Sequence, residues 1–281
     1  LGDDFAVMPK AVTEGQRIAA SIQNILKTYM VTVFAMLLLT VALGILQLGF
    51  PFMAAQNTMM SFFARGAPPA ILSLTAVAML RRPRLSTNII HFTLPAALLI
   101  ALFGMLLYTG AFFVTQRQLA HIEITAEMAS AIERTAHVPI GSMAKAAIEQ
   151  AATYYTAQTS LVTFFVLTGI LLMLFAEPPL HWFTGGSPYR GSWLVVVAAA
   201  ALIGGYYVVL MLSSVRSFFE LVSIPPTFHG VIWVTTLVWI VVQRWAYRAH
   251  LLERFLAMPI RVDYVAKAAP AAAMASTTPV Q

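Results

Sequence analysis

The chain contains no cysteine, which excludes disulfides, iron–sulfur clusters, thiolate metal sites and cysteine nucleophiles together. Charge is almost as scarce. Asp, Glu, Lys and Arg make up 10% of the residues, against about 25% in an ordinary soluble domain, so a water-soluble enzyme is excluded. Six histidines (His91, His121, His137, His181, His229 and His250) are scattered with no pair at metal-ligand spacing. The opening Leu1-Gly-Asp-Asp-Phe lacks the basic start and apolar core of a secretory signal. The expectation is a chain that begins mid-protein, as a fragment in preference to a processed product.

What is present is apolar: 59% of the 281 residues are hydrophobic and the mean hydropathy is +0.79. A bilayer solvates such residues in helices of about 20. Six runs qualify: Tyr29 to Phe50, Met53 to Leu80, Phe92 to Val114, Thr159 to Ala176, Trp193 to Leu212 and Phe228 to Val242. None holds an Asp or Glu. The second is interrupted by Gly66-Ala67-Pro68-Pro69, because proline has no N–H and clashes with the preceding turn. An even number of spans puts both termini on one side. Twelve of the 17 basic residues fall on that side, only Arg117, Arg134, Lys145 and Arg216 fall opposite, and Arg65 sits within a span. The termini are therefore expected to be cytoplasmic. The net charge of +6 then needs no nucleic acid to explain it. The expected fold class is all-α, a polytopic bundle of six transmembrane helices with an amphipathic N-terminal stalk helix.

Within residues 5–28 the spacing of Ile18, Ile22, Ile25, Leu26 and Tyr29 predicts an amphipathic helix running unbroken into the first span. Residues 115–158 read as an extracytoplasmic, solvated helical loop with Glu123, Glu127, Glu133 and Glu149, interrupted at Val138-Pro139-Ile140-Gly141. Trp245 to Phe255 sets Leu251, Leu252, Phe255 and Leu256 against Arg244, Arg248 and Arg254, a basic amphipathic pattern suited to a membrane surface. The resulting divisions are 1–28, a transmembrane domain 29–245, a cytoplasmic amphipathic segment 246–265, and a tail 266–281 with little to bury. Gly204-Gly205 reads as a close helix contact, and the 14 methionines as packing.

Leu1-Gly-Asp-Asp-Phe-Ala-Val-Met-Pro-Lys-Ala-Val-Thr-Glu-Gly-Gln-Arg-Ile, followed by Ile22-Gln23-Asn24-Ile25-Leu26-Lys27 and a span, resembles the end of the phosphorylation domain of P-type ATPases. That family commonly reads A-D-D-F-x-x-I-x-x-A-V-x-E-G-R-x-I-x-x-N-I there and enters its fifth transmembrane helix through a stalk. Gln56-Asn57-Thr58-Met59-Met60-Ser61-Phe62-Phe63-Ala64-Arg65-Gly66-Ala67-Pro68 resembles the family's sixth helix, often Q-x-x-x-x-N-x-x-T-D-G-x-P in calcium pumps. Arg81-Arg82-Pro83-Arg84 matches the basic loop after it. The resemblance covers residues 1–245 and implies helices five to ten of a primary cation transporter in a bacterial plasma membrane, driven through an aspartyl phosphate. It also implies ATP and Mg²⁺ held by upstream actuator, nucleotide-binding and phosphorylation domains, since the D-K-T-G-T, T-G-E and G-D-G-x-N-D motifs all fall upstream. No catalytic residue and no cofactor is expected in this chain. The partners expected are the lipid bilayer, those upstream domains and the transported cation.

The departures from the pattern matter as much. Ser61, Ala64 and Arg65 stand where calcium pumps place Asn, Thr and Asp ligands, and Val33 and Met36 where their fifth helix carries Asn and Glu. A calcium ion takes six to eight oxygens, carboxylates among them, so this half carries no high-affinity calcium site. Arg65 is costly at membrane depth and is by default functional or paired. It reads either as a fixed cation in the transport pathway or as a donor to carbonyls freed by the break. Gly66, Pro68 and Pro69 predict an unwound stretch whose carbonyls face a cavity, with Ser61, Asn57, Gln56 and Thr58 able to add oxygens. Thr32, Gln158, Thr159 and Thr163 are weaker candidates, because membrane hydroxyls commonly bond their own backbone. The alternative reading is a stand-alone six-helix channel, secondary carrier or membrane anchor, although no inverted repeat of the kind many carriers show is visible.

Overall fold

A computed structural model describes residues 7–75, 85–118, 126–184, 187 and 191–249. The acidic pair Asp3-Asp4, the loop Arg81 to Arg84, Glu123 and the segment 250–281, which holds most of the basic amphipathic stretch and the whole tail, lie outside the described residues. Those described are helical with short connections: α1 Val7–Ile45, α2 Ala54–Met60, a π-helical turn Ser61–Gly66, α3 Ala67–Thr75, α4 Leu85–Gln118, α5 Ala126–Ala136, α6 Lys145–Ala176, α7 Trp193–Met211, α8 Ser213–Phe218 and α9 Pro226–Arg248. Five of them, α1, α4, α6, α7 and α9, are long and apolar enough to cross a membrane.

The organising element is α6. It is apolar on every side, and 94% of its apolar stretch is buried, as a helix without a polar face must be in the centre of a bundle. α1, α4, α7, α9 and the π turn pack around it. Its hydroxyls turn onto their own backbone: Thr156, Ser160, Thr163 and Thr168 each donate to the carbonyl four residues earlier at 2.8–2.9 Å, which removes a buried polar cost. The contact with the π turn is unusually close. A Cβ on Gly169 would stand 2.5 Å from Ala64 Cβ and 3.0 Å from its Cα. By contrast nothing lies within 4 Å of a Cβ at Gly204, and Gly205 meets only a ring carbon of Phe63 at 3.9 Å. The close helix contact expected at Gly204-Gly205 is therefore at Gly169, where backbone meets backbone.

α1 is a single helix of 39 residues, continuous as the spacing predicts. Its polar side faces inward. Ile18, Ile22 and Tyr29 are 54%, 50% and 43% exposed, while Gln23, Asn24, Lys27 and Thr28 are buried. The polar side faces inward because it has partners there, whereas apolar packing offers a membrane bundle little preference for one face over another. The helix ends where Gln47 and Gly49 take positive φ; Tyr154 lies 2.7 Å from where a Gly49 Cβ would be, and Tyr108 donates to the Leu48 carbonyl at 3.0 Å.

Two other expectations need correction. The segment 115–158 is helical where it is described, as expected, but it is not simply solvated. α6 already begins at Lys145, and α5 packs Met128, Ala131 and Ile132 inward, with the Tyr155 hydroxyl donating to the Ala131 carbonyl at 3.0 Å. Arg134 ties α5 to Ser217 through two bonds of 3.0 Å. The interruption at Val138-Pro139 does occur. The second apolar run is helical from Ala54 to Thr75 and is not unwound. Its irregularity is a widened turn, described below.

Candidate functional site

The residues singled out around Gly66 lie on one widened turn. The backbone N–H of Ala67 donates to the Phe62 carbonyl, five residues earlier, the mark of a π turn. Pro68 and Pro69 bring no N–H to the turn before them, so a regular α ladder has no donors for two of its rungs. Widening by one residue absorbs that loss without breaking the helix. Gly66 permits the closure, since the Ser61 carbonyl passes 3.1 Å from where a Cβ would be. Phe63 and Ala64, both buried, anchor the turn against Tyr206 of α7 and Gly169 of α6.

Arg65 stands on the opposite side of this turn, eleven residues from Ala54 and ten from Thr75, or roughly 15 Å from either end of the run at 1.5 Å per residue. One terminal nitrogen, Nη2, donates to Asn57 Oδ1 and lies 3.0 Å from Met36 Sδ of α1. Its Nε is inaccessible to solvent and has no partner among the described residues. The two ion pairs found between described residues, Arg17–Glu14 and Lys145–Glu149, are elsewhere. The guanidinium is thus held by a neutral amide and a thioether, and its charge is left uncompensated by any described carboxylate. Chemically this is a fixed cation on a half-buried shelf between α1 and the 54–75 run.

Of the expected site residues, the fold gathers Arg65, Asn57, Ser61 and Gly66 at this shelf, with Pro68 shaping it. It employs two others elsewhere. Gln56, fully buried, accepts from the Met53 N–H at 3.0 Å and donates to the Glu220 carbonyl at 2.8 Å, so its amide caps α2 and clasps the 212–225 connection. Thr32 donates to the Tyr29 carbonyl at 2.8 Å. Thr159 accepts from the Val222 N–H at 3.1 Å and Thr163 meets the Tyr206 hydroxyl at 3.0 Å, which makes both structural ties. Gln158 donates to the Phe50 carbonyl at 2.9 Å. A cavity of about 360 Å³ among Leu26, Met30, Phe34, Ile90, Thr93 and Leu94 holds one hydroxyl, that of Thr93, and no charged group. Among the described residues no three His, Asp or Glu side chains converge.

A second polar cluster escaped the sequence reading. Glu177 closes α6 and is 0% exposed. Asn24 Nδ2 of α1 donates to its Oε1 at 2.8 Å, and the Thr75 hydroxyl of α3 donates to its Oε2 at 2.8 Å. Lys27, 2% exposed, donates to the Ser187 hydroxyl at 3.2 Å and stands over the Phe92 ring. One carboxylate therefore ties α1, α3 and α6 at the end of the bundle nearer the N-terminus. A signal was available: an acid directly abutting a long apolar run, opposite polar residues at three- and four-residue spacing in 23–28. The apolar run ends one residue short of it, at Ala176.

Comparison of the chain with protein-family models, with curated proteins and with solved structures finds no match.

Proposed function

We propose that this chain is the C-terminal membrane half of an ATP-driven P-type cation pump, contributing part of the ion-translocation pathway. The observation that carries the reading is α1. It bears the family-like Ala11-Val12-x-Glu14-Gly15 string near its start and continues without interruption to Met36, where it touches the one arginine at membrane depth. A motion applied at the first turns reaches the shelf through one rigid element. In this reading α1 is the stalk and fifth helix, and the run 54–75 is the sixth span. The remaining four long helices complete the set, both termini are cytoplasmic, and the membrane is a bacterial plasma membrane.

ATP and Mg²⁺ belong to upstream domains and supply an aspartyl phosphate there. The work of this chain is to hold the pathway and move it. Arg65 places a permanent positive charge where calcium pumps carry a ligand, so a transported cation entering the shelf is destabilised unless it brings or finds compensating charge. Tilting α1 moves Met36 against Arg65 and changes how far the guanidinium projects. The Glu177 tie keeps α1, α3 and α6 together at the stalk end during that movement.

The test is phosphoenzyme formation from ATP by the intact protein, titrated against a panel of cations. A hydroxylamine-sensitive phosphoenzyme whose level depends on one cation is the expected result. No phosphoenzyme with any cation overturns the reading and favours a stand-alone channel, carrier or anchor.

A further inference from the structure

We infer that the end of α9 and the short turn His181–Phe183 form a site for one anionic phospholipid, its phosphodiester held by Arg244 and Arg248 and its acyl chains lying along α9. The helical period puts Val234, Leu237, Val241, Arg244, Trp245 and Arg248 on one side of that helix, opposite the buried Ile232, Thr236, Trp239 and Gln243. The apolar members of the first set are all exposed. One face therefore changes from apolar to doubly basic within two turns, with the Trp245 indole at the change, which is the order of tail, interface and head in a lipid. This is the stalk end of the bundle: the Tyr247 hydroxyl donates to the Phe92 carbonyl at 2.9 Å, and Lys27 of α1 stands over the same Phe92 ring.

The basic pair is built into the fold. Trp182 packs edge-on against Phe183, which meets the buried Phe175 of α6 in the same way. The Arg244 guanidinium lies over this anchored indole, its Cζ 4.5 Å from the ring centroid, where the ring quadrupole attracts it. Arg248, one turn on, donates to the His181 carbonyl at 3.4 Å, so both guanidinia flank one turn. Arg244 Nε is inaccessible and has no partner among the described residues, and the ion pairs found there lie elsewhere. Its terminal nitrogens remain as a planar fork that matches phosphate oxygens. Among the described residues no other exposed apolar stripe ends this way. Arg17 on α1 is paired with Glu14, Arg216 after α7 turns onto the Leu210 carbonyl, and Arg117 at the end of α4 has no second Lys or Arg within two turns. Charge complementarity selects an anion, and the apolar stretch 234–241 below it adds contact only for an anion that carries chains. The proposal needs a membrane-embedded bundle and does not depend on the pump reading.

The test is native mass spectrometry of the intact protein, stripped of lipid in detergent and titrated with dioleoyl phosphatidylglycerol, with dioleoyl phosphatidylethanolamine and with inorganic phosphate. The first phosphatidylglycerol is expected to bind roughly tenfold more tightly than the first phosphatidylethanolamine, within the factor of about five that each arginine supplies toward an anionic head. Arg244→Gln combined with Arg248→Gln brings the two lipids within about twofold of each other. Arg244→Lys combined with Arg248→Lys keeps both charges and keeps a preference of roughly threefold or more, which separates lost charge from lost folding. Trp182→Leu removes the platform and lowers the preference about threefold, whereas Arg117→Gln leaves it unchanged. Millimolar inorganic phosphate does not displace the bound lipid. In native membranes, p-benzoyl-phenylalanine replacing Val241 captures lipid. Equal binding of the two lipids by the unsubstituted protein, or a lysine pair that loses as much preference as the glutamine pair, overturns the proposal. Displacement by inorganic phosphate does so as well, because the site then takes a free anion, and so does capture at position 241 of a peptide, whether from another protein or from residues 250–281.

Discussion

Replacing Gly169 by alanine tests the packing on which the Arg65 shelf depends. The added Cβ would lie 2.5 Å from Ala64 Cβ, 3.0 Å from its Cα and 3.3 Å from its carbonyl oxygen. Two of those three atoms are backbone, so no side-chain rotation relieves the clash. α6 and the π turn must separate by roughly 1 Å to restore ordinary contact, at a cost of about 1–3 kcal/mol. Alanine also gains about 0.5–1 kcal/mol of helix propensity over glycine, which masks part of the loss. Gly204→Ala supplies the control, because it brings the same propensity gain with nothing within 4 Å of the new methyl. Subtracting one variant from the other cancels propensity and leaves the clash. The assay is reversible unfolding of the full chain by SDS titration in mixed micelles, followed by tryptophan fluorescence. Gly204→Ala is expected to raise the midpoint and Gly169→Ala to fall about 1–3 kcal/mol below it. Adding Ala64→Gly removes the 2.5 Å contact but not the 3.0 Å one, so it recovers part of the loss. Equal midpoints for the two alanine variants would refute the argument.

Glu177→Ala leaves the Asn24 amide and Thr75 hydroxyl without their acceptor and is expected to cost about 2–4 kcal/mol in the same titration. Glu177→Gln keeps an acceptor for Asn24 and should cost less than half as much; equal losses would mean the carboxylate is not the tie. Gln56→Leu removes the cap on Met53 and the bond to Glu220 at a cost of about 1–2 kcal/mol, yet should leave cation dependence of phosphoenzyme formation unchanged. A shifted cation dependence would return Gln56 to the pathway. Arg65→Met in the intact protein is expected to change transport stoichiometry or turnover in reconstituted vesicles, with Arg65→Lys closer to wild type. Unchanged values for Arg65→Met would remove Arg65 from the mechanism.

Much of the helical layout was legible because it depends on apolar length. Trp193 to Leu212 was drawn within one residue of α7, and the continuity of α1 followed from unbroken helical spacing with no proline after Pro9. Boundaries set by something other than hydropathy were lost. α6 starts 14 residues before Thr159 because alanines and Tyr155 pack on α5, a contact that has no signature in mean hydropathy. The proline pair predicts a break, since each proline removes a donor; the π turn keeps the helix by moving the deficit into one wider ring, which depends on Gly66 and on support from Gly169, over 100 residues away. Arg65 was visible as an anomaly in its run. Its contact with Met36 was not, nor was the diversion of Gln56 to Glu220, because both depend on which helices become neighbours. Glu177 was hidden by a boundary drawn on apolarity alone, although burial, and not hydropathy, decides whether an acid matters.

The outward apolar stripe of α1 follows from the same competition. In water, burying Ile18, Ile22 and Tyr29 would outweigh most alternatives at about 25 cal/mol per Å². Here polar partners on the other side oppose that drive: Asn24 on Glu177 and Lys27 on Ser187 and Phe92 turn the apolar stripe outward. At the level of Val33 lipid covers that stripe at no cost. Nearer the N-terminus, where Arg17 reaches the Leu74 carbonyl at the end of α3, the stripe has run past most of the apolar core, and lipid is a poor cover.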